Sequence, residues 1–168
     1  FLAGDALARG DSGGAAVPRR ARDGRTSAAR HAAALLLCWL PYLYWIFPGT
    51  VSNDSVTQIM EIIGVETLGN ANPIFQTALV YLFRGAGKLL GGADVAVALY
   101  CGVQALLMAW LLGSLLAQMK GGAARSRLYR LSFAFYALCP IFPLFAFCMG
   151  KDTNFSMAVC WLSLLALG

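Results

Sequence analysis

Two short segments of the chain combine acidic, basic and small polar side chains in a way that could support chemistry. In the first, residues 47–58, a Phe-Pro-Gly opening leads to Asp54, and in the second Lys151 precedes Asp152. A positioned carboxylate can take a proton from a reacting hydroxyl or help to hold a metal ion. A lysine ammonium can stabilise negative charge on a departing phosphate. Both segments are therefore candidate parts of a reaction or binding site.

Each segment also has a purely structural interpretation. Asp54 could serve only as an acid that complements a helix dipole, an effect of about 0.3–1 kcal/mol. Lys151 and Asp152 could simply mark a turn and pair with each other. The functional interpretation gains weight if both segments lie on one face of the protein, because two converging acids form a catalytic or ion-binding vestibule.

Composition is typical of an integral membrane protein. Hydrophobic residues make up 59% of the 168 residues and charged residues 12%, whereas about 25% of the residues in an average soluble domain are charged. The net charge of +5 does not indicate a nucleic-acid partner, because the basic residues flank apolar runs instead of covering a folded face.

Four apolar stretches predict membrane-spanning helices. The predicted fold class is therefore all-α, a polytopic transmembrane helix bundle with surface helices in its first outer loop. A span needs about 20 residues at about 1.5 Å per residue. The spans are expected at about residues 32–47, 93–118, 131–150 and 153–168, the last of them incomplete.

The first 30 residues have almost no large apolar side chains and are predicted to form a disordered, basic cytoplasmic tail. A signal peptide is the less favoured interpretation, since no small-x-small cleavage site follows Phe47. His31 is expected to contact lipid headgroups at the cytoplasmic end of the first span. Because the chain starts at Phe1 and stops inside an apolar stretch, we expect it to be a piece of a larger protein.

The distribution of lysine and arginine predicts the orientation of the spans. With residues 1–30 in the cytoplasm, the inner segments hold ten basic residues and the outer segments three. This excess agrees with the positive-inside rule and puts both acidic segments on the outer face of a cell membrane. The inner residues are Arg9, Arg19, Arg20, Arg22, Arg25, Arg30, Lys120, Arg125, Arg127 and Arg130, and the outer ones are Arg84, Lys88 and Lys151.

The first outer loop, residues 48–92, is expected to hold two surface helices. Ser55 and Gln58 fit a capping box at the start of the first helix, which should end at Gly64. Pro73 suits the first turn of the second helix. That helix should lie along the outer surface, because its uncharged part, 11 residues, is about half the length of a span.

Several residues inside the apolar stretches have predicted structural roles. Pro140 and Pro143 should kink the third span. Gln76 and Gln104 should form hydrogen bonds between helices. An aromatic belt at the outer interface is predicted from Trp39, Tyr42, Tyr44 and Trp45.

The motifs Pro48-Gly49-Thr50, Asp54-Ser55, Gln58, Asn72-Pro73 and Lys151-Asp152 occur in this order along residues 32–168. Together with the order of spans and surface helices, this pattern resembles multi-pass membrane glycosyltransferases of the GT-C type, in a bacterial branch of that class. The resemblance implies the N-terminal part of an enzyme that transfers a sugar from a polyprenyl-phosphate donor to an extracytoplasmic acceptor.

The resemblance also implies a role for each matching residue. Asp54 would be the general base or a metal-site acid, and Asp152 would help to position a metal ion or the lipid phosphate. Lys151 would contact the donor phosphate. The other substrate-binding residues would be Gln58, Asn72 and Ser55. Asn72 departs from the pattern, because a His is expected there and Asn cannot shuttle a proton near neutral pH.

Cofactor and partners follow from the same segments. The chain has no Asp-x-Asp motif, so the sequence assigns no definite cofactor and leaves a divalent metal ion as an option. The expected partners are the polyprenyl-phosphate sugar donor and membrane lipids, with no nucleic acid. Two alternatives stay open: a transporter or lipid flippase, in which Asp54 and Asp152 bind ions or a headgroup, and a non-catalytic membrane subunit.

Overall fold

A computed structural model describes residues 19–67, 73–119 and 123–167, and within them the chain is almost entirely helical. The all-α prediction is confirmed for these residues. They also contain two short strands that hydropathy did not predict. In chain order the elements are α1 Arg19–Ile46, β1 Thr50–Val51, α2 Asn53–Ile62, α3 Ile74–Leu90, α4 Ala93–Gln118, α5 Ala123–Leu138, α6 Ile141–Ala146, β2 Cys148–Met149 and α7 Lys151–Leu167.

Helices α1 and α4 form the centre of the fold and run in opposite directions. Near one end Gly113 approaches Ala28 so closely that an added Cβ would lie 2.6 Å from the Ala28 carbonyl oxygen. Near the other end, Gly49 packs against Cys101. Small residues allow two helix backbones to come this close. The core between the two ends contains buried apolar side chains, among them Leu35, Trp39, Ala105, Ala109, Leu112 and Leu116.

Helix α1 begins well before the predicted first span. Residues 19–30, predicted to be disordered, form its first turns, and Ser27 and Ala28 are buried. That prediction is wrong because alanine and arginine favour the helix, and because the small side chains let α1 approach α4. The tail residues before Arg19 lie outside the described residues.

Two further predictions on α1 and its neighbours are corrected. His31, expected among lipid headgroups, is buried and joins α1 to α5: its Nδ1 lies 2.6 Å from the Ser27 carbonyl oxygen and its Nε2 2.8 Å from the Tyr129 hydroxyl. Trp39 belongs to the core instead of an aromatic belt, and its indole N–H donates to the Tyr136 carbonyl oxygen at 3.1 Å. Tyr44 and Trp45 are each 84% exposed, as a belt requires.

The third predicted span is interrupted more strongly than a kink. Helix α5 ends at Leu138, the short α6 follows Pro140, and residues 148–149 are extended. A proline cannot donate an N–H and its ring clashes with the preceding turn, so the helix stops. Of the residues that the structure describes, one helix, α4, is long and apolar enough to cross a membrane by length and composition. α5 has 16 residues, short of the roughly 20 that a span needs.

Helix α2 starts three residues earlier than the predicted capping box. Its N-cap is Ser52, whose Oγ accepts the Ser55 backbone N–H at 3.3 Å, so the prediction of Ser55 as N-cap is wrong. The predicted end is confirmed. Gly64 has a φ of +79°, and the Val65 N–H donates to the Met60 carbonyl oxygen at 2.9 Å, the bonding of a glycine-terminated helix.

Helix α3 packs against the beginning of α4. Gly87 contacts Ala96, and the Phe83 ring meets the Tyr100 ring edge-on at 5.4 Å between centroids. Gln76, three helical turns before Gly87, also contacts Tyr100. The contacts follow an antiparallel order, Gly87 with Ala96 and then Phe83 with Tyr100, so α3 runs back along α4. The surface position of α3 stays a prediction.

Candidate functional site

The two acidic segments meet in the fold. Lys151 Nζ lies 3.0 Å from Asp54 Oδ2, which joins the first turn of α7 to the first turn of α2. The side chains are 25% and 52% exposed, respectively. An ion pair between two partly exposed side chains contributes at most about 1 kcal/mol to stability. The ion pair therefore shows where the two segments converge but contributes little to holding them together.

Backbone pairing brings these segments together. β1 and β2 are parallel neighbours, with Thr50 opposite Cys148 and Val51 opposite Met149. The Thr50 N–H donates to the Phe147 carbonyl oxygen at 2.9 Å, and the Ser52 N–H donates to the Met149 carbonyl oxygen at 3.2 Å. Each strand leads directly into one of the two acidic helix starts, so the register of the strands sets the separation of Asp54 and Lys151.

Gly49 allows the first strand to reach this position. Its φ is +130°, a conformation that side-chain-bearing residues rarely adopt. An added Cβ would lie 2.5 Å from Cys101 Sγ and 3.1 Å from the Phe147 carbonyl oxygen. The Pro-Gly pair that opens the first segment thus has a structural explanation: it turns the chain tightly over α4.

Ser55 has a different role from the predicted contact with substrate. It is buried, and its hydroxyl donates to the Met149 carbonyl oxygen at 2.9 Å. The Ser52 hydroxyl in turn donates to Ser55 Oγ at 3.1 Å. Ser55 therefore serves the site as a link between α2 and β2.

The inner face of α2 is polar. Ser55, Gln58 and Glu61 are buried on it, whereas Val56 and Met60 are exposed. Gln58 is fully buried, and neither its amide nitrogen nor its oxygen has a hydrogen-bond partner among the described residues. Leaving a buried amide unsatisfied costs about 1–3 kcal/mol, so a water molecule or a ligand group is the expected partner of Gln58.

Asp152 is exposed, at the mouth of an apolar cavity between α4, α6 and α7. The cavity has a volume of about 310 Å³. The Asp152 side chain makes no ion pair or hydrogen bond with another residue that the structure describes. Asp54 does not line this cavity, so the two acids do not share a cavity. Their connection is Lys151, which pairs with Asp54 and precedes Asp152 in the chain. The lining residues are Met108, Leu111, Leu112, Ile141, Phe142, Phe145, Asp152, Thr153, Ser156, Met157 and Cys160.

A buried polar cluster of Gln76, Tyr100 and Asn154 lies one turn further along α7. The Asn154 amide donates to the Tyr100 hydroxyl at 2.6 Å and to Gln76 Oε1 at 2.8 Å, and Gln76 Nε2 donates to the same hydroxyl at 2.8 Å. The predicted interhelical role of Gln76 is confirmed. Tyr100 and Asn154 were not predicted to take part, because nothing in their local sequence distinguishes them from lipid-facing or capping residues.

The cluster borders a second apolar cavity, which lies between α3, α4 and α7. Its volume is also about 310 Å³. Asn154 is its main polar lining residue, and Leu111 and Met157 line both cavities. The first turns of α7 thus direct three polar side chains to three places: Lys151 to α2, Asp152 to the first cavity and Asn154 to the second.

The described residues contain no group of three or more His, Cys, Asp or Glu side chains that could hold a metal ion. Asp54 already faces a cation, the Lys151 ammonium, in the place where a divalent ion would bind that carboxylate. Asn72, the remaining predicted substrate-binding residue, lies outside the described residues.

Comparison with known protein families, curated proteins and solved structures finds no match for this chain. The function of the site is therefore inferred from its residues, their geometry and their chemistry.

Proposed function

We propose that this chain belongs to a membrane glycosyltransferase that moves a sugar from a polyprenyl-phosphate donor to an extracytoplasmic acceptor. The observation that carries the proposal is the 3.0 Å contact between Lys151 Nζ and Asp54 Oδ2, with Asp152 next to Lys151 in the chain. A base, a phosphate-binding cation and a second acid then lie at one end of the fold. These are the groups that glycosyl transfer from a lipid phosphate requires.

Exposed apolar surface supports a polytopic membrane bundle. α4 has the length and composition of a span, and the large apolar side chains Leu106 and Leu107 face outwards from it. Leu37 on α1 and Leu162 and Leu165 on α7 are also exposed. Soluble monomers rarely expose apolar surface of this extent, whereas lipid acyl chains would cover it.

The distribution of charge supports an outer location for the site. Arg25 and Arg30 flank Ala28, which contacts the far half of α4, and Arg127 and Arg130 flank Tyr129, which contacts His31. Basic residues therefore gather at the opposite end of α4 from the Asp54–Lys151 pair. Under the positive-inside rule this end is cytoplasmic, with the N-terminus inside and the ion pair outside.

The proposed reaction uses the ion pair in two steps. When the donor phosphate binds, Lys151 exchanges Asp54 for the phosphate and leaves the Asp54 carboxylate next to the acceptor. Asp54 then takes the proton of the acceptor hydroxyl while the hydroxyl oxygen bonds to the anomeric carbon. The bond from that carbon to the phosphate oxygen breaks, and Lys151 stabilises the charge on the departing polyprenyl phosphate.

A charge exchange tests whether the pair is catalytic or only structural. In the full-length protein, Asp54→Asn and Lys151→Gln should each insert normally and lose about 10²-fold or more of transfer activity. The double variant Asp54→Lys with Lys151→Asp rebuilds an ion pair but moves the base, so it should stay inactive. Recovery of activity in the exchanged variant would show that only the pairing matters. Asp94→Asn, which changes another exposed acid in the first turn of a helix, is the matched control.

A transporter or lipid flippase is the second candidate. The observation that favours it is the interruption between α5 and α7, because transporters bind ions and substrates at broken helices. Transfer of sugar by detergent-solubilised protein separates the classes. An enzyme retains transfer without a sealed membrane, whereas a flippase shows lipid movement only in sealed vesicles. The third class, a non-catalytic subunit, has no observation in its favour.

A further inference from the structure

We propose that Gln104, in the middle of α4, is a positioning residue that sets the separation of Asp54 and Lys151. It does so by bonding strand β2 along the edge that is not paired with β1. This inference rests on the proposed function, because its consequence for activity requires the ion pair to be catalytic. Its structural part can be measured separately.

Residues 145–149 cover the end of α6 and all of β2, and their five consecutive carbonyl groups have no donor within their own elements, because the last carbonyls of a helix lack an intrahelical partner. Residues of β1 and α2 and the residue between them supply the donors on one edge of this segment. Thr50 donates to the carbonyl oxygen of residue 147, and Ser52 and Ser55 donate to that of residue 149. Successive carbonyls of an extended chain point to opposite sides. The carbonyl of Cys148 therefore faces away from β1, and it needs another donor, as do the carbonyls of Phe145 and Ala146 at the end of α6.

Gln104 supplies that donor. Its Nε2 lies 2.8 Å from the Phe145 carbonyl oxygen, 3.2 Å from that of Ala146 and 2.8 Å from that of Cys148. The side-chain amide thus takes the place of a second neighbouring strand. Only the NH₂ end of the amide can face three acceptors, which determines its orientation. Gln104 is 3% exposed, so its amide is not drawn away from these carbonyls by bulk solvent.

The position of Gln104 explains why a glutamine is needed there. α4 is the one described helix that qualifies as a membrane span, and non-helical backbone at membrane depth persists only where the protein itself satisfies it. Cys101, one turn earlier on α4, contributes only a weak thiol contact of 3.3 Å to the Phe147 carbonyl oxygen. Without the Gln104 amide, the outer edge of β2 would lose its main donor.

Lys151 follows β2 after a single residue, Gly150, so movement of β2 moves Lys151 relative to Asp54. Misplacement of reacting groups by about 1 Å can cost about 10²-fold in rate. Gln104 itself lines neither apolar cavity and touches neither charged side chain, so its effect on the reaction passes through the strand.

The first experiment measures transfer by the full-length protein. Gln104→Met has a similar length but no donor, and Gln104→Glu retains the size and replaces the two N–H donors with a carboxyl group that offers at most one O–H. Both should lower kcat by about 10²-fold, with a smaller change in KM for the acceptor. Gln118→Met, which changes an exposed glutamine at the end of the same helix, should retain activity.

A double variant tests whether Gln104 acts through Lys151. If it does, Gln104→Met combined with Lys151→Gln should be no less active than Lys151→Gln alone, because the group being positioned is already absent. Losses that multiply would show that Gln104 supports the fold in general and would overturn the positioning role.

The second experiment measures the strand register without an activity assay. Thr50 and Cys148 are paired in the register, and neighbouring strands about 4.8 Å apart suit a disulfide. Thr50→Cys should therefore form a disulfide with Cys148 rapidly, with Cys38, Cys101, Cys139 and Cys160 replaced by alanine. Adding Gln104→Met should slow formation at least about threefold, because β2 loses its outer donor.

The two experiments separate failure of the inference from failure of the proposed function. An unchanged rate of disulfide formation in Gln104→Met overturns the inference, whatever the activity. Slower disulfide formation supports the role of Gln104 on β2. If it occurs in a protein whose transfer activity is unaffected by Asp54→Asn, the glycosyltransferase proposal fails while the structural role of Gln104 stands.

Discussion

Asp54 and Lys151 come from opposite halves of the chain, yet their charged groups lie 3.0 Å apart at the starts of two helices. Asp54 comes three residues after β1 and Lys151 two residues after β2, and the two strands form one parallel pair, so the contact is a consequence of backbone register. This relationship gives the two acidic segments a common location and makes them testable as one site.

Substitution at Asp54 should separate stability from activity. Asn caps a helix start about as well as Asp, and the ion pair is partly exposed, so Asp54→Asn should change the free energy of unfolding by less than about 1 kcal/mol. Thermal unfolding of the purified protein with sugar transfer measured on the same sample tests this. A fully active variant would remove the main reason to assign an enzyme.

Labelling of single cysteines tests the orientation. Asn53 is exposed beside the proposed outer site, and Ser126 is exposed near the basic end of α5. A membrane-impermeant thiol reagent added to intact cells should label Asn53→Cys at once and Ser126→Cys only after permeabilisation. These positions are better probes than Ser55 or Thr153, which are buried. The reverse pattern would place the ion pair in the cytoplasm and contradict the orientation.

The surface position of α3 has its own test. Ile74 and Leu90, at the two ends of α3, are both exposed. A helix that lies along the outer surface should give rapid labelling of Ile74→Cys and Leu90→Cys from outside, because both ends stay near the headgroups. Labelling of one end alone would indicate that α3 crosses the membrane.

The close contact between α1 and α4 predicts opposite effects for two glycines of one helix. Gly113→Ala should destabilise the protein by about 1–3 kcal/mol, because the added Cβ would meet backbone atoms of α1 at Ala28 and Ala32. Gly102 has no atom within 4 Å of an added Cβ, so Gly102→Ala should be neutral or stabilise by up to about 1 kcal/mol. Denaturation of both variants in the same detergent tests the pair, and equal effects would contradict the close packing.

Hydropathy and local motifs were sufficient for a large part of this fold. The uncharged stretch of residues 93–118 predicted α4 at its observed bounds, because a long apolar run can satisfy its backbone only as a helix. Gly64 predicted the end of α2, and Gln76 and Gln104 were correctly predicted to bond across helices. Each of these features depends on the chemistry of a few neighbouring residues.

Long-range packing decided what the local patterns could not. Alanine and arginine in residues 19–30 indicated no core, yet small size is what lets α1 approach Gly113. His31 had the position of an interfacial residue, but its ring found partners in Ser27 and on α5. A residue's burial depends on the partner that covers it, and that partner is distant in the chain.

The sequence by itself determined the helical class, the long apolar α4 and the identity of two acidic segments. Only the tertiary structure decided that these segments meet, because their strands are two residues long and carry no alternating pattern that could be recognised in advance. The pairing depends on backbone carbonyls of residues 145–149, which every residue type possesses. These carbonyls are bonded by donors of Gln104, Thr50 and Ser52, which lie close to them only in the folded chain. Composition and spacing do not predict such a contact.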